Sequence, residues 1–585
     1  MGKSLDTIKR HLPALAALAL ALILAIIGTT TPWPKSADRP AHEFSAGRAM
    51  ADVRAIARAP HPAGSAADAA LRSYLMQRMT GMGMTVRADT FAPDPDRIAR
   101  NIDWGGPADR PRALTNVIAV LPGTNPALPA VALIAHHDSV ADSPGAADDG
   151  AGVAAILETV RAVTAGPRPA RDLVVVLTDG EEIGLDGARR FFAGLPSPAD
   201  PIRDHIGTLI NLEARGGGGR ATLFQTNDDN GDAIALAARV IHHPGGSSLA
   251  VYLYRVLPND TDLTEAMDWT ARHHAAAYNF AFIGRPGLYH SPKASADRLD
   301  QGALQDIGGQ VLDLTRALLV APNLPHPADD VVFFDVFGLT MVTMPAYGGW
   351  IMLGLAFVAI GAIWHQQGRG RGHVRAALGG AGRILGLAGM TALLTMGANL
   401  VSFHVGGPNY YDRLAALPRI EAMAVVSALA AFFIVVACWR PMRAALVGAL
   451  VPLWLVGVVL QGLAPVAAYI VVVPVLLAAV IALLPAGPVY RGIAVVMAGA
   501  VIGYQFMLGH QMIQGVGSNL PLVIALPLVL ATVTILPLWH PMPRRSRRVA
   551  VLAFGLAAVT IALMIRAAPI ADTIPPYSQT TRPVS

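Results

Sequence analysis

The stretch VALIAHHDSVADSPGAADDGAGVAA, from Val131 to Ala155, is the part of the chain that decides its fold and its chemistry. An apolar run ends in two histidines and an aspartate. A turn containing Pro and Gly then delivers a second acidic pair just before a helix-like segment. In α/β sheets, functional side chains gather at the carboxyl ends of the strands, where loops carry polar groups without breaking the core. The stretch therefore predicts a buried strand, a loop that builds a site, and a helix in succession.

Further aliphatic runs on either side of this stretch alternate with helical patterns. Strands are predicted at Asn116–Leu121, Ala130–Ala135, Leu173–Leu177 and Ile206–Leu212, and an intervening helix at Gly150–Ala165. Such alternation is typical of α/β proteins with a largely buried sheet. We therefore expect an α/β fold, with a largely buried sheet flanked by helices, in this part of the chain.

The remainder of the 585-residue chain is more apolar than an ordinary soluble protein. Hydrophobic residues make up 53% of the sequence and charged residues 15%, with a mean hydropathy of +0.46. Apolar runs of about the length that crosses a bilayer lie at Leu12–Gly28, Ala346–Trp364, Ile384–Phe403, Ile420–Trp439, Ala444–Leu463, Val466–Leu484, Ile493–Leu508, Leu520–Trp539 and Val549–Ile565.

These runs divide the chain into three predicted regions. Residues 1–34 form a cytoplasmic N-terminus and a transmembrane anchor, because the first run exceeds a signal-peptide core and is followed by no clear cleavage site. Residues 35–335 form a water-soluble domain. Residues 336–585 form a multi-span α-helical membrane domain of about eight helices. The expected partners thus include the lipid bilayer.

The basic residues of the connecting segments predict the orientation of the chain. Most fall on the side of the N-terminus, whereas the other side holds Arg413, Arg419, Arg566 and Arg582. Since cytoplasmic loops carry the excess of Lys and Arg, the soluble domain is expected outside the cytoplasm, in a bacterial periplasm or an organellar lumen. The formal charge of +5 is mild and forms no basic patch interleaved with aromatic residues, so nucleic acid is not an expected partner.

Candidate metal ligands follow the predicted strands of the soluble domain. They are His136, Asp148, Glu182, Glu213 and His290. Imidazole nitrogens and carboxylate oxygens are donors that zinc accepts. Five ligands suit two metal ions if one carboxylate bridges them, and three carboxylates with a hydroxide balance two Zn²⁺. Glu181, beside a ligand, is then available as a general base.

At these residues the chain resembles the M28 family of zinc metallopeptidases, an aminopeptidase-like group. The matching motifs are AHHDS for the family's H-x-D, PGAADDGAG for its bridging-aspartate loop, DGEEIGLDGA for its Glu-Glu pair, INLEARG for the fourth ligand and YHSPKASADRLD for the last. The resemblance extends from about Phe44 to Asp300, and it is closest to the membrane-embedded branch that includes the endoplasmic reticulum metallopeptidase. It implies a zinc aminopeptidase-like fold, with a mixed β-sheet flanked by helices, and a zinc-dependent peptidase whose partners are peptide substrates.

The resemblance also implies how the five ligands are shared. One zinc would be held by His136, Asp148 and Glu213, and the other by Asp148, Glu182 and His290. The bridging carboxylate would then belong to Asp148. Two Zn²⁺ per chain are the expected cofactors, although nitrogen and carboxylate ligands also accept other divalent ions.

The same resemblance implies roles for the remaining site residues. Asp138 would orient the imidazole of His136, as outer carboxylates commonly do for metal-bound histidines. Glu181 would take a proton from the attacking water and return it to the leaving amine. Tyr289 would stabilise negative charge on the carbonyl oxygen. Where the family commonly places an acidic residue after the last ligand, this chain has Ala294, and compensation by Asp297 is left open.

Several functions remain compatible with the sequence. An aminopeptidase is the leading interpretation, while carboxypeptidases and glutaminyl cyclases share similar folds. A catalytically silent membrane scaffold is a further alternative, although such relatives generally lose ligands and this chain retains all five. A transporter is disfavoured, because the predicted membrane helices contain very few ionisable residues. Side-chain preference at the cleaved bond and oligomeric state are left open.

Overall fold

The computed structural model describes residues 2–97, 99, 113–192, 200–257, 260–367, 370, 372–403, 410–439 and 442–567. The chain divides into two compact units. The sheet unit contains Thr30–Thr343 together with Asn409–Ala415. The helix unit contains Met1–Thr29, Met344–Pro408 and Ala416–Pro569. Of the residues used above to predict orientation, Arg582 lies outside the described part of the chain.

A seven-stranded sheet forms the centre of the sheet unit. Its strands are β1 (Thr85–Phe91), β2 (Leu114–Leu121), β3 (Ala130–His136), β4 (Leu173–Thr178), β5 (Ile206–Ala214), β6 (Thr222–Thr226) and β7 (Ala276–Phe282), in the spatial order β1-β2-β4-β3-β5-β7-β6. Strands β4, β3, β5 and β7 are mutually parallel, whereas β1, β2 and β6 join antiparallel to their neighbours. The sheet is therefore mixed, which confirms the predicted fold class.

The burial of the central strands on both faces explains why they can be predicted from the sequence. Every residue of β3 and of β4 is buried. Val131, Leu133 and Ala135 contribute to the core on one face of β3, whereas Ala132 and Ile134 contribute to the core on the other face. Because successive side chains of a strand point to opposite faces, a strand covered on both sides reads as a continuous apolar run.

Helices cover both faces of this sheet. They are α2 (Ala46–Ile56), α3 (Ala66–Gly81), α4 (Gly150–Thr164), α5 (Asp186–Phe192), α6 (Gly231–Val240), α7 (Ser248–Val256), α8 (Asp262–His273) and α9 (Gln301–Val320). Residues of α2, α4 and α9 join one core, and those of α5 and α8 join the other. A separate two-stranded sheet pairs β8 (Val331–Val336) with β9 (Thr340–Pro345).

The helix unit consists of apolar helices. They are α1 (Gly2–Thr29), α10 (Gly348–His365), α11 (Gly372–Val401), α13 (Leu417–Val435), α14 (Arg443–Leu463), α15 (Tyr469–Leu483), α16 (Pro488–Val516), α17 (Ala525–Ile535) and α18 (Arg544–Ala567), while the short α12 (Tyr410–Ala415) belongs to the sheet unit. Within the described residues, eight helices are long and apolar enough to cross a membrane, the eighth being α17 with its flanking turns, Pro521–Leu538. The chain is therefore an integral membrane protein.

The lengths of two of these helices differ from their apolar runs. The run Ile493–Leu508 lies within α16, which has 29 residues because the helix continues through polar residues at its C-terminal end. By contrast, α15 is the shorter apolar helix, with 15 residues. Hydropathy marks the apolar part of a helix, whereas backbone hydrogen bonding sets where the helix ends.

Two glycines allow the helices α11 and α14 of the helix unit to pack closely against each other. A Cβ added at Gly448 would lie 1.8 Å from the carbonyl oxygen of Ala377, and one at Gly380 would lie 1.9 Å from that of Ala445. Small residues of this kind allow the backbones of membrane helices to pack closely. We expect Gly448→Leu to destabilise the protein by about 1–3 kcal/mol, because its side chain meets backbone that cannot move aside.

Gly386 on α11 supplies a matched control, since a Cβ there meets nothing within 4 Å. The measurement is the thermal unfolding midpoint of the purified protein in detergent. Gly448→Leu should lower the midpoint and Gly386→Leu should leave it nearly unchanged. Equal midpoints for the two variants would contradict the close packing of the two helices.

Candidate metal centre

Five side chains from five parts of the sheet unit meet at the carboxyl ends of the parallel strands. His136 is the last residue of β3, and Glu213 lies near the end of β5. Glu182 follows β4, Asp148 lies just before α4, and His290 lies in the loop after β7. Asp149 accepts a hydrogen bond from the backbone N–H of Gly152 at 3.0 Å and so caps α4, which fixes the start of this helix beside Asp148.

Asp148 lies between the two histidines. Its Oδ1 is 3.1 Å from Nε2 of His136, and its Oδ2 is 3.3 Å from Nε2 of His290. Each histidine also faces a second carboxylate: Glu213 Oε2 lies 4.0 Å from His136 Nε2, and Glu182 Oε2 lies 3.1 Å from His290 Nε2. Two donor atoms on one tetrahedral zinc are about 3.3 Å apart, from zinc–ligand bonds of about 2.0–2.1 Å. Three of the four separations are therefore of the size that a shared metal ion requires, and the fourth, between Glu213 and His136, is longer.

The electrostatics of the cluster also fit divalent cations. Burial raises the pKa of Glu213 to about 8, with the negative charges of Asp262 and Asp148 acting in the same direction against His136. Burial likewise raises the pKa of Glu182. Asp148 is the exception, because hydrogen bonds with the two histidines outweigh burial and lower its pKa to about 2. Burial and mutual repulsion disfavour the ionised forms of Glu213 and Glu182, and divalent cations bound between the carboxylates would stabilise those ionised forms.

Asp138 ties two parts of the site together. Nδ1 of His136 donates a hydrogen bond to the backbone carbonyl oxygen of Asp138 at 2.9 Å, and the Asp138 carboxylate lies slightly further away, at 3.6 Å. The same carboxylate accepts the backbone N–H groups of Glu181 at 3.1 Å and of Glu182 at 3.2 Å. Asp138 therefore holds the His136 ring through its backbone and the Glu181–Glu182 turn through its side chain.

Glu181 carries a carboxyl group suited to holding a proton. Burial raises its pKa well above the usual value, and the negative charges of Glu213, Glu182 and Asp262 add to this shift, against the attraction of His136. A general base works best when its pKa lies near the operating pH, and raised carboxyl pKa values serve that purpose.

Two residues of the His290 loop, Ala294 and Asp297, differ in their burial. Asp297 is exposed, so it does not replace the acidic residue that the sequence lacks at Ala294. Ala294 itself is buried, and its backbone oxygen accepts the N–H of Ala146 at 3.0 Å, which links the His290 loop to the Asp148 loop. Tyr289 stacks its ring on that of His290, with centroids 3.7 Å apart.

Two residues of the site were not anticipated from the sequence. The hydroxyl of Tyr411 lies 2.8 Å from Nδ1 of His290, although the two residues are 121 positions apart. Asp262 is fully buried at the start of α8 and accepts a hydrogen bond from the hydroxyl of Thr178. No local motif marks Tyr411, whereas the Thr-Asp pair at the start of a helical pattern gives Asp262 a capping signal.

A second buried cluster lies beside the site and has a different character. His137 Nδ1 is 2.9 Å from Asp68, and Arg72 pairs with Asp68 and, at 3.5 Å, with Asp179. Although burial opposes it, the charge of Asp68 raises the pKa of His137 to about 9. Two cations thus balance two carboxylates, so this cluster needs no metal ion to neutralise it.

Part of the chain is similar to known proteins. Residues 116–315 match the family Peptidase family M28. The endoplasmic reticulum metallopeptidase 1 of Mus musculus is 31% identical over 253 residues, which cover 42% of this chain and 27% of that protein. A vacuolar membrane protease of Lachancea thermotolerans is 29% identical over 305 residues, which cover 50% of this chain and 30% of that protein. The chain thus spans less than a third of the length of these relatives.

Solved structures with a similar fold include enzymes of two kinds. An aminopeptidase from Aneurinibacillus sp. strain AM-1 aligns over 49% of this chain and 98% of its own, with a TM-score of 0.37 and 15% identity. A glutaminyl cyclase of Porphyromonas gingivalis aligns over 46% of this chain and 98% of its own, with a TM-score of 0.36 and 18% identity.

The family match covers all five converging donors, His136, Asp148, Glu182, Glu213 and His290. It confirms the resemblance drawn from the sequence motifs. This chain therefore carries a metallopeptidase domain of peptidase family M28 alongside its apolar helices.

Proposed function

We propose that the chain is a membrane-bound zinc metallopeptidase that holds two zinc ions and acts as an aminopeptidase. The observation that carries the proposal is the position of Asp148, whose two carboxylate oxygens face two different histidines. A carboxylate in this position suits a bridge between two metal ions, as in two-metal hydrolases. The family match to metallopeptidases supports the same reading.

Each half of the site offers one histidine and one carboxylate besides the bridge. His136 and Glu213 would hold one zinc with Asp148, and His290 and Glu182 would hold the other. The side chains of all five are at least largely buried, so they keep bulk water from competing for the donors. When bound, paired zinc ions supply a water of lowered pKa and polarise the substrate carbonyl.

The residues of the chain then carry the proton transfers. Glu181 takes a proton from the attacking water, and it gives the proton to the nitrogen of the leaving amine as the peptide bond breaks. Asp138 keeps Glu181 in place through the backbone hydrogen bond described above. Tyr289, stacked on His290, is the proposed donor toward the carbonyl oxygen as negative charge develops there. No covalent intermediate is required.

We further propose that the chain resides in a bacterial inner membrane with the peptidase domain in the periplasm. The excess of basic residues on the side of the N-terminus supports this orientation. A domain in this position would act on peptides outside the cytoplasm.

The test is a panel of aminoacyl chromogenic substrates with the purified full-length protein in detergent, beside N-acetylated versions of the same substrates. We expect hydrolysis of the substrates with free amino groups, loss of activity with a zinc chelator, and recovery on adding zinc. An aminopeptidase should leave the acetylated substrates uncleaved.

The other outcomes separate the alternatives. With unmodified peptides and glutaminyl peptides added to the panel, release of residues from the carboxyl end only would identify a carboxypeptidase, and cyclisation of glutaminyl peptides without hydrolysis would identify a cyclase. Absence of turnover across the panel by a folded, zinc-loaded protein would overturn the proposed function in favour of a silent scaffold.

A further inference from the structure

The segment α12 brings a residue to the metal centre from far along the chain. In sequence it lies between α11 and α13, two helices of the helix unit, and beyond the residues that match the M28 family. By its contacts it belongs to the sheet unit. Its residue Tyr411 is 4% exposed, and its hydroxyl lies 2.8 Å from Nδ1 of His290.

Packing holds this segment against the His290 loop. Tyr411 and Leu414 form a buried cluster with Val140, which lies in the loop between β3 and Asp148. Tyr289 and Tyr410 pack against the same cluster. On the other side, a Cβ added at Gly287 would lie only 3.0 Å from the Cα of Ala415, so the two backbones are in close contact. The position of the Tyr411 hydroxyl is therefore set by contacts on several sides.

We propose that Tyr411 is a positioning residue for the second metal ion. The inference rests on the proposed function, because His290 is one of the ligands assigned there. Nε2 of His290 faces Asp148 and Glu182, so it is the nitrogen that would bind metal. The ring proton then lies on Nδ1 and is donated to the hydroxyl oxygen of Tyr411, which fixes both the tautomer and the orientation of the ring.

In this role, Tyr411 supplies a hydrogen-bond acceptor for His290 that the side chains of Ala294 and Asp297 do not. Metal-bound histidines almost always donate their second ring N–H to a carboxylate, a carbonyl or water. Here Ala294 offers no side-chain acceptor, and Asp297 is exposed. The chain therefore uses a tyrosine from a distant segment, and the metal site is complete only with α12 in place.

The experiment compares Tyr411→Phe with Tyr410→Phe in the full-length protein. The Phe ring preserves the packing around Val140 and Leu414 and removes only the hydroxyl, and the second variant removes a neighbouring hydroxyl of the same helix. Zinc affinity is measured by competition with a fluorescent chelator, in parallel with aminoacyl substrate turnover. Loss of an outer-shell partner typically weakens metal affinity by about 10–100-fold.

The expected result is a second zinc bound about 10–100-fold more weakly in Tyr411→Phe, with the first zinc and the Tyr410→Phe variant unchanged. Added zinc should restore turnover of Tyr411→Phe toward the parent level, which a variant that is merely misfolded would not show. If the parent binds two zinc ions and Tyr411→Phe binds both equally tightly, the role of Tyr411 is refuted while the proposed function stands. If the parent binds fewer than two, both proposals fail together.

Discussion

Replacing Glu181 with Gln is expected to lower kcat/KM for aminoacyl substrates by about 10²–10⁴-fold while leaving the zinc content of the protein unchanged. Gln has nearly the shape of Glu but cannot accept a proton from the attacking water. The backbone hydrogen bond from Glu181 to Asp138 involves no side-chain atom of Glu181, so the turn should keep its conformation. The measurement is steady-state kinetics with metal analysis on the same preparation.

Asp142→Asn provides the matched control for this prediction. Asp142 is an exposed carboxylate in the loop that leads to Asp148. Its φ of 64° lies in the left-handed region, which Asn tolerates as readily as Asp. The control should retain the activity of the parent. An active Glu181→Gln variant, or one that loses zinc as well as activity, would contradict a role for Glu181 limited to proton transfer.

Replacing Asp148 with Ala is expected to remove both metal ions, whereas His290→Ala is expected to remove one. The two oxygens of Asp148 face the two histidines separately, so its loss takes a donor from each half of the site. Activity should fall at least as far as in Glu181→Gln, because no activated water is left for the base. Zinc per chain, measured after gel filtration in metal-free buffer, distinguishes the two variants.

Glu213→Ala extends this comparison to the other half of the site, where it should also remove one zinc. Circular dichroism of each variant checks that the fold is retained. If Asp148→Ala kept one firmly bound zinc while His290→Ala and Glu213→Ala each lost one, the bridging role of Asp148 would be wrong.

Local sequence patterns predict the centre of the sheet well. The predicted strand Ala130–Ala135 is one residue shorter than β3, and the predicted helix Gly150–Ala165 is one residue longer than α4. Strand β3 is fully buried and α4 is buried except at Arg161 and Thr164, so their apolar patterns are nearly continuous. The mixed character of the sheet follows from the fold class that the resemblance implies.

The edges of the sheet are harder to predict from local patterns. Strand β1, TVRADTF, lies at one edge and is nowhere fully buried, so polar residues interrupt its pattern. Strand β7 is fully buried, but Asn279 interrupts its apolar run because this side chain hydrogen-bonds to Gln225 and Thr261 across the core. In both strands, contacts with distant parts of the chain, rather than a regular apolar pattern, determine which residues occur.

The residues of the candidate site divide in the same way, into those that local patterns indicate and those that only the folded chain brings together. His136, Asp148 and Glu182 stand at strand ends or in short loops next to them, where local patterns point to a site. Tyr411 does not, because its relation to His290 exists only after the chain has folded across 121 positions. Spacing in a single sequence carries no information on such a contact.

The most direct test of the proposed two-zinc site is the zinc content of the purified full-length protein. The protein is stripped with a chelator, reloaded with zinc, passed through metal-free buffer and analysed for metal and protein on the same sample. We expect about two zinc ions per chain, with turnover appearing as they bind. A folded protein that binds one zinc or none at saturation would contradict the proposed two-zinc site.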